Sequence, residues 1–342
     1  MPKKLEYRLT KQVKIFGWSC KLGANELNDL LEKTGLTGDI EDAAVVPVPN
    51  TDIVQVKSLD IFTPIVDEPD IMGQIAAANV TNDIFAMNVP EISGMLVFLG
   101  INTNTPMKVA EGILRGIKYY MEKKIHSKVV GGHTIYSEWP LIGGEASGFV
   151  HKDSIILKQG VKKGDRLILT KPIGLQPVMA AYRMLKDFPE MLEGYSKNQL
   201  QKSIDLAIKI MTTPNQDVVK TIHSLDDFSF IHAMTDITGF GLAGHILEIL
   251  QNSKLSATIE TLPSIKLSES LSKDLGYDFD ECKCPETAGG MLMAVDPLKT
   301  EDFSHTLSNN GISNWIIGII DTVAPGLVRI SENVTNLEIS KY

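Results

Sequence analysis

The sequence predicts an α/β (α+β) protein of two domains, and three observations carry that expectation. Its 342 residues suit about two domains at roughly 100–200 residues each. Apolar residues make up 43 % and charged residues 22 %, a globular composition rather than a disordered one. Strand-type alternation and helical periodicity are intermixed in both halves instead of being segregated. A polar, turn-rich stretch containing Lys152, Asp153, Gln159, Gly160, Lys162, Lys163, Gly164 and Asp165 parts the halves. The expected division is an N-terminal segment 1–41, a first domain 42–155 and a second domain 160–335.

Residues 22–34 read as a helix, with Asn25 as N-cap, Leu27, Leu30 and Leu31 on one face and Gly35 as the stop. Ala43–Val48 and Ile53–Phe62 read as strands, parted by the turn residues Pro49, Asn50, Thr51 and Asp52. Residues 70–87 form a helix opened by Asp70. Spacing by four puts Ile71, Ile75, Asn79 and Asp83 on one of its faces. After a strand at Gly94–Leu99, Thr105-Pro106 opens a helix whose buried stripe is Val109, Ile113, Ile117 and Tyr120. Val129-Val130 leads into Gly131-Gly132-His133-Thr134, a strand end followed by a tight turn, and Ala146–Val150 is another strand. The second half begins with a strand at Arg166–Thr170 and helices around 177–186 and 197–212. It continues with a strand near 230–235, a helix from about Gly241, and strands near Ala257–Glu260, Gly290–Val295, Trp315–Ile320 and Leu327–Ile330.

Composition removes several function classes. A net charge of −9 argues against a nucleic-acid surface, which would be basic. No apolar run reaches the roughly 20 residues a membrane helix needs. Met1–Tyr7 has no apolar stretch behind its lysines, so a secretory leader is not expected and the cytoplasm is. Cys20, Cys282 and Cys284 are too few for a disulfide framework, and Cys282-Lys283-Cys284 lacks a second pair to complete a four-ligand zinc site. There is no G-x-x-x-x-G-K-[ST]. A G-x-G-x-x-G does occur at Gly239, Gly241 and Gly244, with Glu260 at the distance of a ribose-binding acid. Thr235-Asp236-Ile237-Thr238 intervenes before it, however, and Asp236 would repel a pyrophosphate.

The informative residues are aspartates at element ends or on helix faces. Asp42 precedes a strand, Asp60 sits inside one, Asp83 lies on a helix face rich in alanine and isoleucine, and Asp236 falls between an apolar run and a glycine-rich turn. Magnesium takes oxygen ligands, commonly one or two carboxylates together with phosphate oxygens and water. Aspartates converging on one cleft would therefore suit a Mg-triphosphate, whereas caps, turns and solvated charge are the plainer reading of each one alone. Gly132-His133-Thr134 could offer backbone N–H groups and a hydroxyl to phosphate, or be a simple turn. Lys21 could be a mobile phosphate ligand or a solvated lysine.

Taken in order, these segments resemble the selenide, water dikinases. The carriers are Asp42-Ala43-Ala44-Val45, Asp60–Asp67, and Asn79-Val80-Thr81-Asn82-Asp83-Ile84-Phe85-Ala86-Met87 against N-x-x-S-D-x-[FY]-A-M. Gly131–Thr134, Leu169–Gly174, Thr235–His245 and Pro285–Gly290 continue the match, the last against P-Q-T-S-G-G. The resemblance runs from about Leu9 to Ile330. It implies a fold of the aminoimidazole-ribonucleotide-synthetase-like group, with an N-terminal sheet forming a homodimer interface and a C-terminal α/β domain closing over ATP. It implies that Asp42, Asp83 and Asp236 bind Mg2+, with Asp60 and Asp83 close to the nucleotide phosphates. Asp39, Ile40 and Glu41 would help hold ATP, as would Gly132, His133 and Thr134 from across the dimer. The implied reaction takes ATP, selenide and water to selenophosphate, AMP and phosphate, with Lys21 in a catalytic role.

One departure stands out. The family loop G-[C/U]-[G/A]-x-K reads Gly17-Trp18-Ser19-Cys20-Lys21 here. Trp18 occupies the reactive position, and indole neither ionises to a nucleophile nor carries selenium. Cys20, two residues on, is the candidate substitute. Glu41 for aspartate and Gln176 for glycine are smaller departures. Two alternatives accompany the dikinase reading: a paralogue that hydrolyses ATP or phosphorylates another small nucleophile without selenide, and a nucleotide-binding regulator without turnover.

Overall fold

In the first half the alternating segments assemble into a five-stranded sheet. The computed structural model describes residues 7–17, 20–22, 24–36 and 41–342; Trp18, Asp39 and Ile40 lie outside the described residues. After helix α1 (Ala24–Thr34) come β1 (Ala44–Pro47), β2 (Ile53–Phe62), α2 (Pro69–Ala86), β3 (Ile92–Ile101), α3 (Met107–Tyr119), β4 (Val129–Tyr136) and β5 (Leu141–His151). The sheet order is β1-β2-β5-β3-β4, antiparallel except for the parallel β3–β4 pair. Asn25 falls inside α1 instead of capping it, and Leu30 of the expected apolar face is half exposed.

α2 and α3 cover one face of this sheet. α2 starts with proline at its first position, where the missing N–H costs nothing. From Met72 to Ala86 it is buried on almost every side except at Gln74 and Asp83. It is enclosed by β2, β5 and α3, and also meets β7 and α5 of the second half, introduced below. Such an apolar-all-round helix belongs at the centre of a fold. Its crossing with α3 is tight: a Cβ added at Gly116 would stand 2.0 Å from the Asp70 carbonyl oxygen. The predicted stripe of α3, Val109, Ile113 and Ile117, is buried, and Tyr120 is buried where the helix widens into a π turn. The opposite face of the sheet leaves Leu59, Leu96 and Phe149 exposed.

The second half contains β6 (Arg166–Leu169), α4 (Leu175–Asp187), α5 (Lys197–Met211), α6 (Gln216–His223), β7 (Ile231–Asp236), α7 (Gly241–Leu250), β8 (Ser256–Ile265), α8 (Ser268–Leu275), β9 (Met291–Val295), α9 (Thr300–Asn309), β10 (Trp315–Asp321) and β11 (Val328–Ile339). Its six strands run β11-β8-β10-β6-β9-β7, and only the β11–β8 pair is parallel. One apolar core lies under α7. The other is continuous from the first half through α2 into α4, α5 and α6, so the halves share a packed boundary. Glu286 accepts the N–H groups of Gly174 (2.6 Å) and Leu175 (2.8 Å), closing the N-terminus of α4. Arg8 ties the N-terminal segment to both halves through Asp67 (2.7 Å) and Asp187.

Three differences from the sequence expectation are structural. Gly131–Thr134 lies inside strand β4 rather than in a turn. β11 continues to Ile339, beyond the expected end at Ile330, after a register shift between Ile330 and Thr335. The short helices α6, α8 and α9 carry too few turns to register as periodic. No helix among the described residues is long and apolar enough to cross a membrane.

Candidate functional site

The two halves meet at a group of carboxylates. Asp42 sits just before β1, Asp83 one turn from the end of α2, and Asp236 at the last position of β7. One oxygen from each lies within 4.8 Å of the others. Asp60 projects from β2 and accepts the Asn79 amide at 2.9 Å.

Burial raises the pKa of all four. Asp60 is pushed up to about 7, despite the nearby Lys21 charge. Asp83 lies well above the usual carboxylate range, through burial and then repulsion from Asp60 and Asp42. Asp236 behaves likewise, with Asp83 and Asp42 as the repelling neighbours. Asp42 is also raised by burial, and the Lys158 ammonium opposes the shift. A buried cluster of like charges is stabilised by a cation.

The donor set fits magnesium. It is oxygen-only, and Asp42 Oδ2 is buried without a hydrogen-bond partner among the described residues. The other oxygen, Oδ1, receives Lys158 Nζ at 2.8 Å and the Thr235 hydroxyl at 3.1 Å. The carboxylate is thus anchored on one side and bare on the other. Ser58 donates its hydroxyl to Asp83, and Asn82 donates its amide to Asp236 at 3.1 Å.

Sequence reasoning missed Lys158. It is buried between the halves, where its Nζ reaches both Asp42 and Glu248 (2.9 Å) and its backbone N–H donates to Glu41 at 2.9 Å. Glu248 is held in turn by His245 Nδ1 at 3.0 Å. The Thr238 N–H donates to His245 Nε2, which assigns the ring proton to Nδ1. His245 therefore packs and positions, and does so at the start of α7. The G-x-G-x-x-G is the entry to that helix, immediately after Asp236.

Lys21 lies beside the same turn, its ammonium 4.5 Å over the Phe240 ring. Cys20 next to it is half-buried. Gly132, His133 and Thr134 are elsewhere: β4 is three strand spacings from β2, about 14 Å, so one chain does not bring them to the aspartates. They border a groove of about 630 Å³ lined also by Leu114, Lys118 and Glu122. Cys282 and Cys284 are buried, their thiols pushed up to about 12 by burial.

Residues 40–150 match the N-terminal domain, and residues 162–324 the C-terminal domain, of the AIR synthase related proteins. The chain is 37 % identical to selenide, water dikinase of Methanococcus maripaludis, over 96 % of this chain and 100 % of that protein. Its identity to the selenide, water dikinase of Methanocaldococcus jannaschii is 35 %, over 97 % and 98 % respectively. In fold it is similar to thiamine monophosphate kinase from Aquifex aeolicus, with a TM-score of 0.67 at 18 % identity, covering 92 % of this chain and 100 % of that one. Both halves thus match along nearly their whole length, and the chain belongs to the selenide, water dikinase family within the AIR synthase related proteins.

Proposed function

We propose that this protein is an ATP-dependent selenide, water dikinase, converting ATP, selenide and water to selenophosphate, AMP and phosphate. The observation that carries the reading is the convergence of Asp42, Asp83 and Asp236, with oxygens within 4.8 Å, at the boundary of the two halves. These three side chains would hold Mg2+, which when bound stabilises charge on the phosphate oxygens. Lys21, beside the Asp236 turn, supplies a cation to the transferring phosphoryl group. Asp60 orients the phosphate tail, with Asn79 fixing its carboxylate. Lys158 holds Asp42 through Oδ1 and would leave Oδ2 available as a ligand. Catalysis of this kind is positioning plus electrostatic stabilisation.

The labour divides between residues 42–155, which carry Asp42, Asp60 and Asp83, and residues 160–335, which carry Asp236. Asp39, Ile40 and Glu41 contribute to ATP binding from the segment before β1. Gly132, His133 and Thr134 serve the nucleotide of a second copy in a homodimer. The exposed apolar face of Leu59, Leu96 and Phe149 supports such pairing. We assign the protein to the cytoplasm, in keeping with three free thiols.

Trp18 leaves Cys20 as the thiol for selenide delivery. Phosphorus NMR of Mg-ATP incubations with and without selenide tests the whole reading. AMP, phosphate and a selenium-bonded phosphorus resonance are expected only when selenide is present. No AMP under either condition overturns it, and AMP formed equally without selenide replaces it with the ATP-hydrolysing paralogue.

A further inference from the structure

Behind the carboxylates lies a second layer made of amides. Asn82 on α2 and Asn215, at the N-cap of α6, are both buried. Asn82 Nδ2 donates to Asp236 Oδ2 (3.1 Å) and to the Gly289 carbonyl (3.2 Å). Its Oδ1 accepts from Asn215 Nδ2 at 3.0 Å, and the same Asn215 nitrogen donates to the Gly289 carbonyl at 2.8 Å.

This pattern permits one orientation of the Asn82 amide. Flipped, its oxygen would face a carboxylate and a carbonyl, two acceptors, while its NH2 met the NH2 of Asn215. Asn215 thereby dictates which atom of Asn82 Asp236 sees. The loop that supplies Gly289 packs closely on the turn after Asp236, since a Cβ on Gly289 would stand 2.0 Å from the Ile237 carbonyl oxygen. Asn82 belongs to the first half, whereas Asn215, Gly289 and Asp236 belong to the second. The orientation of Asp236 is set across the boundary between them.

We infer that Asn82 and Asn215 are positioning residues: together they form an amide relay that fixes the Asp236 carboxylate for a divalent cation and makes that grip depend on contact between the halves. The inference rests on the reading of Asp236 as a magnesium ligand. Partners that orient metal ligands are worth about 10–100-fold in metal affinity. Asn215 touches neither the cation nor the nucleotide in this scheme, so it acts through Asn82 and the Gly289 carbonyl that the two amides share.

The test is the Mn2+ dissociation constant of the full chain without nucleotide, read from the paramagnetic resonance signal of free Mn2+. Asp236→Asn, Asn82→Ser and Asn215→Ala are each expected to weaken binding by about 10–100-fold. Val219→Ala, buried in α6 one turn beyond Asn215 and without a polar atom to lend the relay, is expected to lower stability while keeping the wild-type constant. A purely structural role for Asn215 would make its variant behave like Val219→Ala. If Asn215→Ala binds Mn2+ as tightly as wild type while Asp236→Asn does not, the relay is refuted and the metal reading stands. If Asp236→Asn also binds normally, or wild type has no Mn2+ site, the metal reading fails and takes the relay with it. Should Asn215→Ala not fold, Asn82→Ser decides by the same criterion.

Discussion

Lys158→Met keeps the length of the side chain and deletes the ammonium that lies 2.8 Å from Asp42 and 2.9 Å from Glu248. All three side chains are largely shielded, at 5 % exposure for Lys158 and Asp42 and 18 % for Glu248. Removing one partner of a buried ion pair costs about 3–5 kcal/mol, since the other charge stays behind uncompensated. A second route gives a similar size. Burial alone would raise the Glu248 carboxyl, yet the hydrogen bond from His245 and then the charge and hydrogen bond of Lys158 bring it down to about 2 from an ordinary 4.5. That gap corresponds to about 3 kcal/mol, shared between the His245 Nδ1–H and the Lys158 ammonium.

The pH dependence has a definite sign. A depressed carboxylate contributes stability that is present above about pH 4.5 and is lost as pH falls through about 2. In the variant, Asp42 and Glu248 face each other without a cation, so their folded pKa values rise and stability falls as pH increases above about 4.5. The gap between wild type and variant therefore opens with rising pH. Urea denaturation at pH 8 should show a loss of about 3 kcal/mol, and at pH 4.5 a distinctly smaller one. A penalty below about 1 kcal/mol at pH 8, or one independent of pH, would refute the argument that Lys158 is the counter-charge of this site.

Other perturbations address separate features. Asp83→Asn should lower ATP turnover by about 100-fold or more while leaving the urea midpoint near or above that of wild type, because a buried charge is removed with a ligand; turnover within a factor of about two would remove Asp83 from the site. Gly116→Ala should cost at least about 1–3 kcal/mol, since its Cβ at 2.0 Å from the Asp70 carbonyl would force two packed helices apart. An unchanged thermal midpoint would mean the crossing is looser than described. Leu59→Arg, on the exposed face of the five-stranded sheet, should shift the particle from dimer to monomer in light scattering with little loss of monomer stability. A dimer that survives the change would put the interface elsewhere.

Much of the scaffold was legible because local signals agreed with the fold. The alternation of Ile53–Phe62 and the stripe Val109, Ile113, Ile117 each correspond to one buried face. Gly131-Gly132 misled because glycine pairs read as turns, whereas Gly132 is required by a neighbour: its Cβ would meet the Val97 carbonyl oxygen at 2.2 Å across the parallel pair. The end of β11 escaped because Ser331–Asn336 is polar and largely exposed, so its pairing with β8 leaves no alternating pattern. The aspartates could be singled out by their odd placement in apolar surroundings. Lys158, Asn82 and Asn215 could not, because each gains meaning from partners 74–154 positions away: Asn215 from Gly289 and Asn82, Lys158 from Glu248 and Asp42, Asn82 from Asp236.

The wide separation of Asp42, Asp83 and Asp236 along the chain has a further consequence during synthesis. Asp236 leaves the ribosome long after the other two, and its partner Asn82 is itself bonded to the carbonyl of Gly289, which emerges later still. The growing polypeptide accordingly cannot bring the three carboxylates together until most of it has been made. On the proposed reading, a chain that ends before Asp236 lacks one of the three metal-binding carboxylates.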